Sequence, residues 1–222
     1  MKALIDGDIV AYRIAATTEN EPEEIAKIRI DTFISDILIN TEVDQYKVFL
    51  SGHNNFRKDI NDKYKANRKD LVKPSKLDLC KEYLVTEHGG IVTDGYEADD
   101  ALGFNQTEDT IICSIDKDLL MIPGKHYNFV KREFTEIHPI QGLQNFYKQM
   151  LIGDSTDNIF GVAGLGKVKS AKLIDPLVEE KDMYLTVCNL YKDTERFDMN
   201  ADCLWIWRNE YERFTDRQPC VD

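Results

Sequence analysis

The stretch that decides the fold reads Tyr96-Glu97-Ala98-Asp99-Asp100, then, after a polar turn, Thr110-Ile111-Ile112-Cys113-Ser114-Ile115-Asp116-Lys117-Asp118. An apolar run rich in β-branched residues is typical of a buried parallel strand, and such strands present functional side chains at their carboxyl ends. We therefore expect Asp116 and Asp118 at a sheet edge. Glu97 and Asp100 share one face at the start of a helix, and Asp99 points to another side. Five acidic groups converge if this strand and helix are neighbours.

The convergence of carboxylates predicts a metal site. Carboxylates that lie so close together repel one another, and each would take up a proton unless a cation neutralised the group. A hard divalent metal ion with oxygen ligands satisfies this requirement. Asp6 ends the first apolar strand, Lys2–Ile5, and adds a further carboxylate at a strand end.

The order of elements in the first fifty residues predicts a parallel sheet. Residues 22–40 carry apolar groups at the spacing of an amphipathic helix, and Tyr46–Leu50 reads as the next strand. A strand, helix, strand order implies a right-handed parallel crossover, which places Ser51 beside Asp6.

Composition sets limits on the function. A chain of 222 residues is long enough for one main compact body, and its net charge of -12 at first sight disfavours a polyanionic partner. Bound metal and uneven charge distribution weaken that objection. Five scattered cysteines, among them Cys220, and the lack of an apolar run of about 20 residues predict a cytoplasmic protein with reduced thiols and no membrane partner.

Residues 57–81 are basic in an otherwise acidic chain. They contain nine Lys or Arg residues and four Asp residues, a local balance of +5. One interpretation is a solvated loop that leads into a helix over Pro74–His88. The other is a surface that follows phosphates, because Phe56 and Tyr64 lie among the cations and can stack on bases.

Glycines open a second basic segment, Gly161–Ile174. The order Gly161-Val162-Ala163-Gly164-Leu165-Gly166, followed by a Lys-containing helix, is typical of a helix-hairpin-helix clamp on a DNA backbone. A glycine connection between two packed helices is the alternative. The C-terminal region reads as helices, with Trp205 and Trp207 as packing residues. The predicted division is an α/β core over 1–140, with a basic arch at 53–88, and a helical subdomain over 141–222, with the clamp at 153–174.

Five motifs, in order, resemble the flap endonuclease and 5′→3′ exonuclease family, especially its phage members. They are Leu4-Ile5-Asp6-Gly7, Tyr64-Lys65-Ala66-Asn67-Arg68, Glu97-Ala98-Asp99-Asp100, Asp116-Lys117-Asp118 and Gly153-Asp154-Ser155-Thr156-Asp157-Asn158 with the glycine turn after it. The resemblance implies an α/β fold: a central, mostly parallel sheet with helices on both faces (a PIN-like 5′-nuclease core), a helical arch or clamp and a C-terminal subdomain like a helix-hairpin-helix. It also implies phosphodiester hydrolysis near 5′ ends.

The resemblance also implies roles for particular residues. Asp6, Glu97, Asp99 and Asp116 match the first group of metal ligands, and Asp100, Asp118, Asp154 and Asp157 match the second. Lys65 and Arg68 match the catalytic pair that contacts the scissile phosphate. Tyr12 matches an aromatic residue that stacks on the terminal base. Further nucleic-acid contacts are expected from Arg57, Tyr64, Lys73, Lys76, Gly164, Gly166, Lys167 and Lys169.

The implied cofactors are two Mg²⁺ ions, for which Mn²⁺ can substitute, with K⁺ a candidate at the helix-hairpin-helix. The implied partner is DNA with 5′ ends, flaps, nicks or branches, with RNA-DNA hybrids a further candidate, and a monomer is expected in the cytoplasm, that of the host if a phage encodes the chain. One departure stands out. The family's second strand usually ends in Asp, and this chain has Ser51 there.

Two rival interpretations remain open from the sequence. Asp6-Gly7-Asp8 after an apolar strand also resembles the nucleophile motif of haloacid-dehalogenase-type phosphatases, in which Asp6 attacks phosphate and Asp8 is the acid. A branched-DNA-binding protein that lost catalysis through Ser51 is the other.

Overall fold

The computed structural model describes residues 1–217, so Cys220 lies outside the described residues. Its strands are β1 (Lys2–Asp6), β2 (Gln45–Ser51), β3 (Ile91–Thr93), β4 (Thr110–Cys113), β5 (Gly124–Asn128), β6 (Glu133–Ile137), β7 (Gly153–Asp154) and β8 (Ile159–Phe160). Its α-helices are α1 (Gly7–Thr17), α2 (Glu23–Thr41), α3 (Arg57–Ile60), α4 (Leu77–Thr86), α5 (Ala98–Asn105), α6 (Pro139–Ile152), α7 (Lys167–Ile174), α8 (Glu180–Tyr191), α9 (Thr194–Leu204) and α10 (Phe214–Arg217). Short 3-10 helices cover Ala66–Arg68 and Asp118–Met121.

Six strands form one sheet in the order β3-β2-β1-β4-β5-β6. All neighbours pair in parallel except β5 and β6, which form an antiparallel hairpin. The predicted mostly parallel sheet with helices on both faces is therefore confirmed. The carboxyl ends of the two central strands, β1 and β4, meet at one edge.

The turn from β1 into α1 is unusually close to the neighbouring strand. Asp6 is the N-cap of α1, and its Oδ1 accepts a hydrogen bond from Ile9 N at 3.1 Å. A Cβ atom on Gly7 would lie 2.7 Å from the carbonyl oxygen of Phe49, so this position accepts only glycine without movement of β2. The turn fixes Asp6 at the sheet edge.

Two apolar clusters fill the two faces of the sheet. One cluster lies under α1, α2 and α4, and the other joins the opposite face to α5, α6 and the C-terminal helices. Trp205 and Trp207 belong to the second cluster and are 0% and 3% exposed, which confirms their predicted packing role. The apolar core is thus continuous across residue 140.

The basic segment contains less helix than its pattern predicts. The helix expected over Pro74–His88 is α4, which begins three residues later and ends two earlier. Residues 53–76 contain only α3 and the 3-10 helix Ala66–Arg68 as regular structure. Within residues 1–217, no helix combines the length and the apolar character that a membrane span requires.

Candidate active site

An open cleft of about 970 Å³ lies at the carboxyl edge of the sheet. The ends of β1 and β4, the first turn of α5 and the β7–β8 hairpin contribute its acidic wall, and the loop before the 3-10 helix at 66–68 contributes cations. The predicted site residues that line it are Asp6, Lys65, Arg68, Glu97, Asp99, Asp116, Asp118, Asp154, Asp157 and Lys167. The tertiary structure therefore brings together most of the residues that the motifs single out.

Ser114 joins the two central strand ends. Its Oγ donates to Asp6 Oδ2 at 2.7 Å and accepts from Asp116 N at 3.0 Å. Asp116 Oδ1 in turn accepts from Asp118 N at 2.9 Å. This chain of hydrogen bonds fixes the two carboxylates at one edge.

The crowding of carboxylates perturbs their proton affinity. Burial, together with the charges of Asp8 and Asp116, raises the pKa of Asp6 from 3.8 to about 7. Burial and the charges of Asp6, Asp116 and Glu97 raise the pKa of Asp99 well above its usual range. Burial and the neighbouring Asp116 and Asp154 raise the pKa of Asp118 to about 7. The cleft therefore favours carboxyl groups that are protonated or neutralised by a cation over carboxylates that are ionised and unpaired.

Two cations neutralise one side of the cleft. Lys65 Nζ contacts Glu97 Oε1 and lies 3.7 Å from Asp157 Oδ2, and Arg68 Nη2 lies 2.5 Å from Asp157 Oδ1. Burial alone would raise the pKa of Glu97, but Lys65 and Arg57 outweigh it and lower that pKa. Lys65 and Arg57 thus favour the ionised form of Glu97, whereas the pKa of the neighbouring Asp99 stays raised despite the charge of Lys65.

Several acidic side chains turn to protein partners. Within the described residues 1–217, no three His, Cys, Asp or Glu side chains are arranged closely enough to hold one ion together. Asp6 accepts hydrogen bonds from Ser114 Oγ and Ile9 N, and Glu97 accepts one from Lys65 Nζ. The acidic positions nevertheless face one common cleft.

Asp100 and Arg57 correct the predicted site. Asp100 is 0% exposed, and its two oxygens accept from the two terminal nitrogens of Arg57 at 2.6 and 2.8 Å. Asp100 also accepts from Glu97 N and Trp207 N, and Arg57 donates to the carbonyls of Cys203 and Trp205. The predictions of Asp100 as a metal ligand and of Arg57 as a nucleic-acid contact are wrong, because both groups are buried and fully engaged.

Glu97 and Asp100 contact each other at the start of α5, as expected. Glu97 is the N-cap, and the two residues form a capping box in which the side chain of each accepts from the backbone N–H of the other. The Glu97 carboxylate also lines the cleft with Asp99.

Tyr64 and Lys76 are engaged by internal partners, contrary to their predicted role as nucleic-acid contacts. The Tyr64 ring is 4% exposed, and its hydroxyl lies 2.9 Å from Glu97 Oε2 and 2.8 Å from Asp157 Oδ2, so it links two acidic residues instead of stacking on bases. Lys76 Nζ donates to the carbonyls of Thr18, Glu19 and Glu21. Its ammonium group therefore binds the backbone carbonyls that follow the C-terminus of α1.

The other predicted nucleic-acid contacts are accessible. Tyr12 is 51% exposed on α1, and Lys73 lines a second depression beside the cleft. Gly164 has a φ of 80°, in the left-handed region that favours glycine, and the turn continues through Gly166, the N-cap of α7. Lys167 and Lys169 follow it on the surface.

The sequence analysis did not identify Ser114, which hydrogen-bonds to Asp6 and Asp116. It considered Asp8 only as the general acid of the phosphatase interpretation. Asp8 lines the cleft, where one oxygen lies 2.5 Å from Lys81 Nζ and the other accepts from Ser51 N at 2.9 Å. This ion pair disfavours the phosphatase interpretation, in which Asp8 must deliver a proton. The signal available in the sequence was the second acid in Asp6-Gly7-Asp8.

Comparisons with known proteins agree with this geometry. Residues 2–150 match the family model of the 5'-3' exonuclease N-terminal, resolvase-like domain. A 5'-3' exonuclease of Mycoplasma genitalium is 30% identical over 228 residues, covering 85% of this chain and 74% of the relative. A 5'-3' exonuclease of Buchnera aphidicola is 27% identical, covering 82% and 72%.

Solved structures share the fold. The T5 D15 protein, co-crystallised with metal ions, has a TM-score of 0.70 at 18% identity, covering 90% of this chain and 87% of that one. The catalytic core of Rad2 in complex with DNA has a TM-score of 0.55 at 16% identity, covering 97% and 68%. The family model spans more than half of the residues, and the chain therefore belongs to the 5'-3' exonuclease family.

Proposed function

We propose that the protein is a divalent-metal-dependent 5′-nuclease that hydrolyses phosphodiesters near the 5′ ends of duplex or branched DNA. The observation that carries this proposal is the single cleft in which carboxylates from β1, β4, α5 and the β7–β8 hairpin face Lys65 and Arg68. Family membership supports the reaction class. DNA as the substrate is supported by the T5 D15 and Rad2 structures, which were solved with DNA.

The donor set of the cleft fits a hard divalent cation. Asp6, Asp99 and Asp116 line the same cleft, and carboxylate oxygens are the ligands that such an ion prefers. Burial and the charge of Asp116 raise the pKa of Asp6, and burial and the charges of Asp6 and Asp116 raise that of Asp99, so a cation in this cleft would relieve the repulsion. We assign Asp6, Glu97, Asp99 and Asp116 to one Mg²⁺, and Asp118, Asp154 and Asp157 to a second. Ions held by these residues would supply an activated water and would stabilise charge on the leaving oxygen. Mn²⁺ prefers the same oxygen ligands and is expected to substitute.

Lys65 and Arg68 are proposed to hold the scissile phosphate. Both side chains line the cleft, and both cationic groups lie near the Asp157 carboxylate, at 3.7 Å for Lys65 and 2.5 Å for Arg68. A phosphate that enters the cleft can replace Asp157 as the ionic partner of Lys65 and Arg68. These two cations then stabilise the negative charge that develops on the phosphate oxygens. Two hydrogen bonds to residues 153–158 fix the positions of these residues: Lys65 N donates to Asp157 O at 3.0 Å, and Arg68 Nε donates to Thr156 O at 3.0 Å.

A cleavage assay with four 5′-labelled substrates tests the proposal: single-stranded DNA, duplex DNA, a 5′-flap and an RNA-DNA hybrid. We expect cleavage near the 5′ end that requires Mg²⁺ or Mn²⁺ and stops with EDTA. The length of the labelled product separates release of terminal nucleotides from flap removal. Tight DNA binding without cleavage at any Mg²⁺ concentration would instead favour a binding protein.

A further inference from the structure

Phe160 exposes an aromatic ring on a rigid backbone. The side chain is 73% exposed, whereas its neighbour Ile159 is 3% exposed, as expected for alternate residues of strand β8. Phe160 pairs with Gly153 across the β7–β8 hairpin. Its carbonyl oxygen accepts from Arg196 Nη2 and Asn200 Nδ2, both at 2.9 Å, so helix α9 holds the residue from behind.

The β7–β8 hairpin lines the cleft and leads directly into the glycine turn. Gly153 and Asp154, on the strand opposite Phe160, line the cleft, and so does Lys167 after the turn. The turn is itself braced, because Lys169 Nζ donates to Gly164 O at 3.0 Å. Phe160 therefore lies on a fixed surface that continues directly from the candidate active site.

The segment that follows Phe160 in the chain is basic. Residues 159–174 contain three lysines and no acidic residue, although the whole chain carries a net charge of -12. Exposed backbone N–H groups at the start of α7 add partial positive charge. Val168, on the first turn of α7, is 70% exposed and adds apolar surface to this basic segment.

We propose that Phe160 is a contact residue for duplex DNA. Its ring packs against sugars and base edges, while the glycine turn and Lys169 hold the adjacent phosphates. Aromatic rings contribute to nucleic-acid binding through apolar contact that is independent of sequence, whereas lysines contribute through charge. A protein partner is disfavoured, because one ring and one valine offer far less than the ~800 Å² per partner of a stable interface. The inference rests on the proposed function and assigns a further binding residue to it.

Equilibrium binding of a fluorescent nicked duplex in EDTA, where the substrate stays intact, tests the assignment. Affinity is measured at several salt concentrations for the parent and for Phe160→Ala, Phe160→Tyr, Lys169→Ala and Phe134→Ala. Phe134 is 59% exposed on β6 and serves as a matched control for the loss of an exposed ring. Circular dichroism and thermal melting establish that each variant is folded.

The salt dependence separates apolar from ionic contacts. Phe160→Ala should weaken binding about five- to tenfold at every salt concentration with an unchanged slope of log Kd against log salt. Phe160→Tyr should stay within about twofold of the parent, because it keeps the ring. Lys169→Ala should reduce the slope by about one unit, and Phe134→Ala should change neither quantity.

Each outcome has a defined meaning. The absence of binding by the parent protein contradicts the proposed DNA-directed function itself. Normal parent binding with Phe160→Ala within twofold of it overturns the inference alone. A changed salt slope for Phe160→Ala also overturns it, because the ring would then act through the neighbouring charges.

Discussion

Asp99 and Asp100 are consecutive residues in the first turn of α5, yet their carboxylates lie in opposite environments. Asp99 faces a cleft shared with Asp6 and Asp116, and its burial, together with the charges of these neighbours, raises its pKa. Asp100 is buried against Arg57, with backbone N–H groups of Glu97 and Trp207 completing its shell. A single turn of α5 thus carries one carboxylate of the acidic wall and one carboxylate of a buried ion pair.

The difference shows how a stable fold can carry an unstable site. Carboxylates in contact with like charges cost folding free energy, whereas a paired and hydrogen-bonded carboxylate does not leave a lone charge buried. Asp100 anchors the start of α5 to residues 203–207, and this anchor holds Glu97 and Asp99 in position against mutual repulsion. The Arg57–Asp100 pair therefore stabilises the fold, and Asp99 belongs to the candidate active site.

Asp99→Asn should have the largest effect. Loss of one anionic oxygen ligand should lower the single-turnover cleavage rate by about a thousandfold or more. In metal-free buffer the same variant should be more stable than the parent by about 1 kcal/mol, because a repelled charge is removed. Labelled-flap cleavage and urea unfolding measure the two quantities. A rate near that of the parent, or a loss of stability, would contradict the placement of Asp99 in the metal site.

Asp100→Asn should lower the stability of the protein, whereas Asp99→Asn is expected to raise it. The guanidinium of Arg57 would be left buried without its counter-charge, at a cost of about 3–5 kcal/mol in the free energy of unfolding. Arg57→Ala should cost a similar amount, and the double variant Arg57→Ala/Asp100→Ala should cost clearly less than the sum of the two single changes. Additive losses in urea unfolding would show that the two side chains do not form one unit.

Lys65→Ala compares a partly exposed ion pair with the buried one. The side chain of Lys65 is 22% exposed and that of Arg57 is 3% exposed, so loss of Lys65 should change stability by less than about 1 kcal/mol. Because Lys65 is placed to hold the scissile phosphate, the single-turnover rate should fall about a hundredfold with little change in DNA affinity. Equal losses of rate and affinity would indicate a general binding role only.

The stability of the metal-free protein should depend on pH in a direction opposite to acid denaturation. The pKa values of Asp6 and Asp118 are raised from 3.8 to about 7, so both carboxyls bind protons more tightly in the folded state. Their contribution is complete below about pH 4 and is lost as the pH rises through 7. Each carboxyl loses about 1.4 kcal/mol per pH unit between pH 5 and pH 7, so the free energy of unfolding should fall by about 5 kcal/mol between pH 5 and pH 8 in EDTA.

Mg²⁺ provides the control for that pH dependence. An ion that replaces protons at the acidic wall should stabilise the protein more at pH 8 than at pH 5. Thermal melting with and without Mg²⁺ at the two pH values measures the difference. A greater Mg²⁺ effect at pH 5 would show that the acidic wall does not hold the ion.

Ser51→Asp should give the smallest effect. Ser51 lines the cleft, and its Oγ accepts from Ala98 N at 2.9 Å, a role that an Asp oxygen can also fill at the start of α5. A second oxygen beside the first metal site should lower the Mg²⁺ concentration for half-maximal cleavage about threefold and leave the products unchanged. Ser51→Ala is the control, because it removes the hydroxyl without adding charge. An unmoved or raised Mg²⁺ midpoint would mean that residue 51 does not contribute to the metal site.

The sequence by itself determined the strands and the positions of their terminal carboxylates. The buried runs before Asp6 and Asp116 predict parallel strands, and parallel strands necessarily place their carboxyl ends at one edge. The glycine turn before α7 followed equally from local chemistry, since Gly164 adopts a left-handed φ that few other residues tolerate. Local sequence preferences were therefore enough to predict most of the residues that line the cleft.

Only the tertiary structure decided which charged and aromatic side chains face solvent. Arg57, Tyr64 and Lys76 belong to one basic segment in the sequence, yet each is turned to an internal partner that lies far away along the chain: Asp100, Asp157 and the end of α1. Asp100 likewise differs from Asp99 only through contacts with Arg57 and Trp207. Charge and spacing are local properties, whereas burial depends on which distant segments pack against a residue, and so the functional surface was settled by the fold.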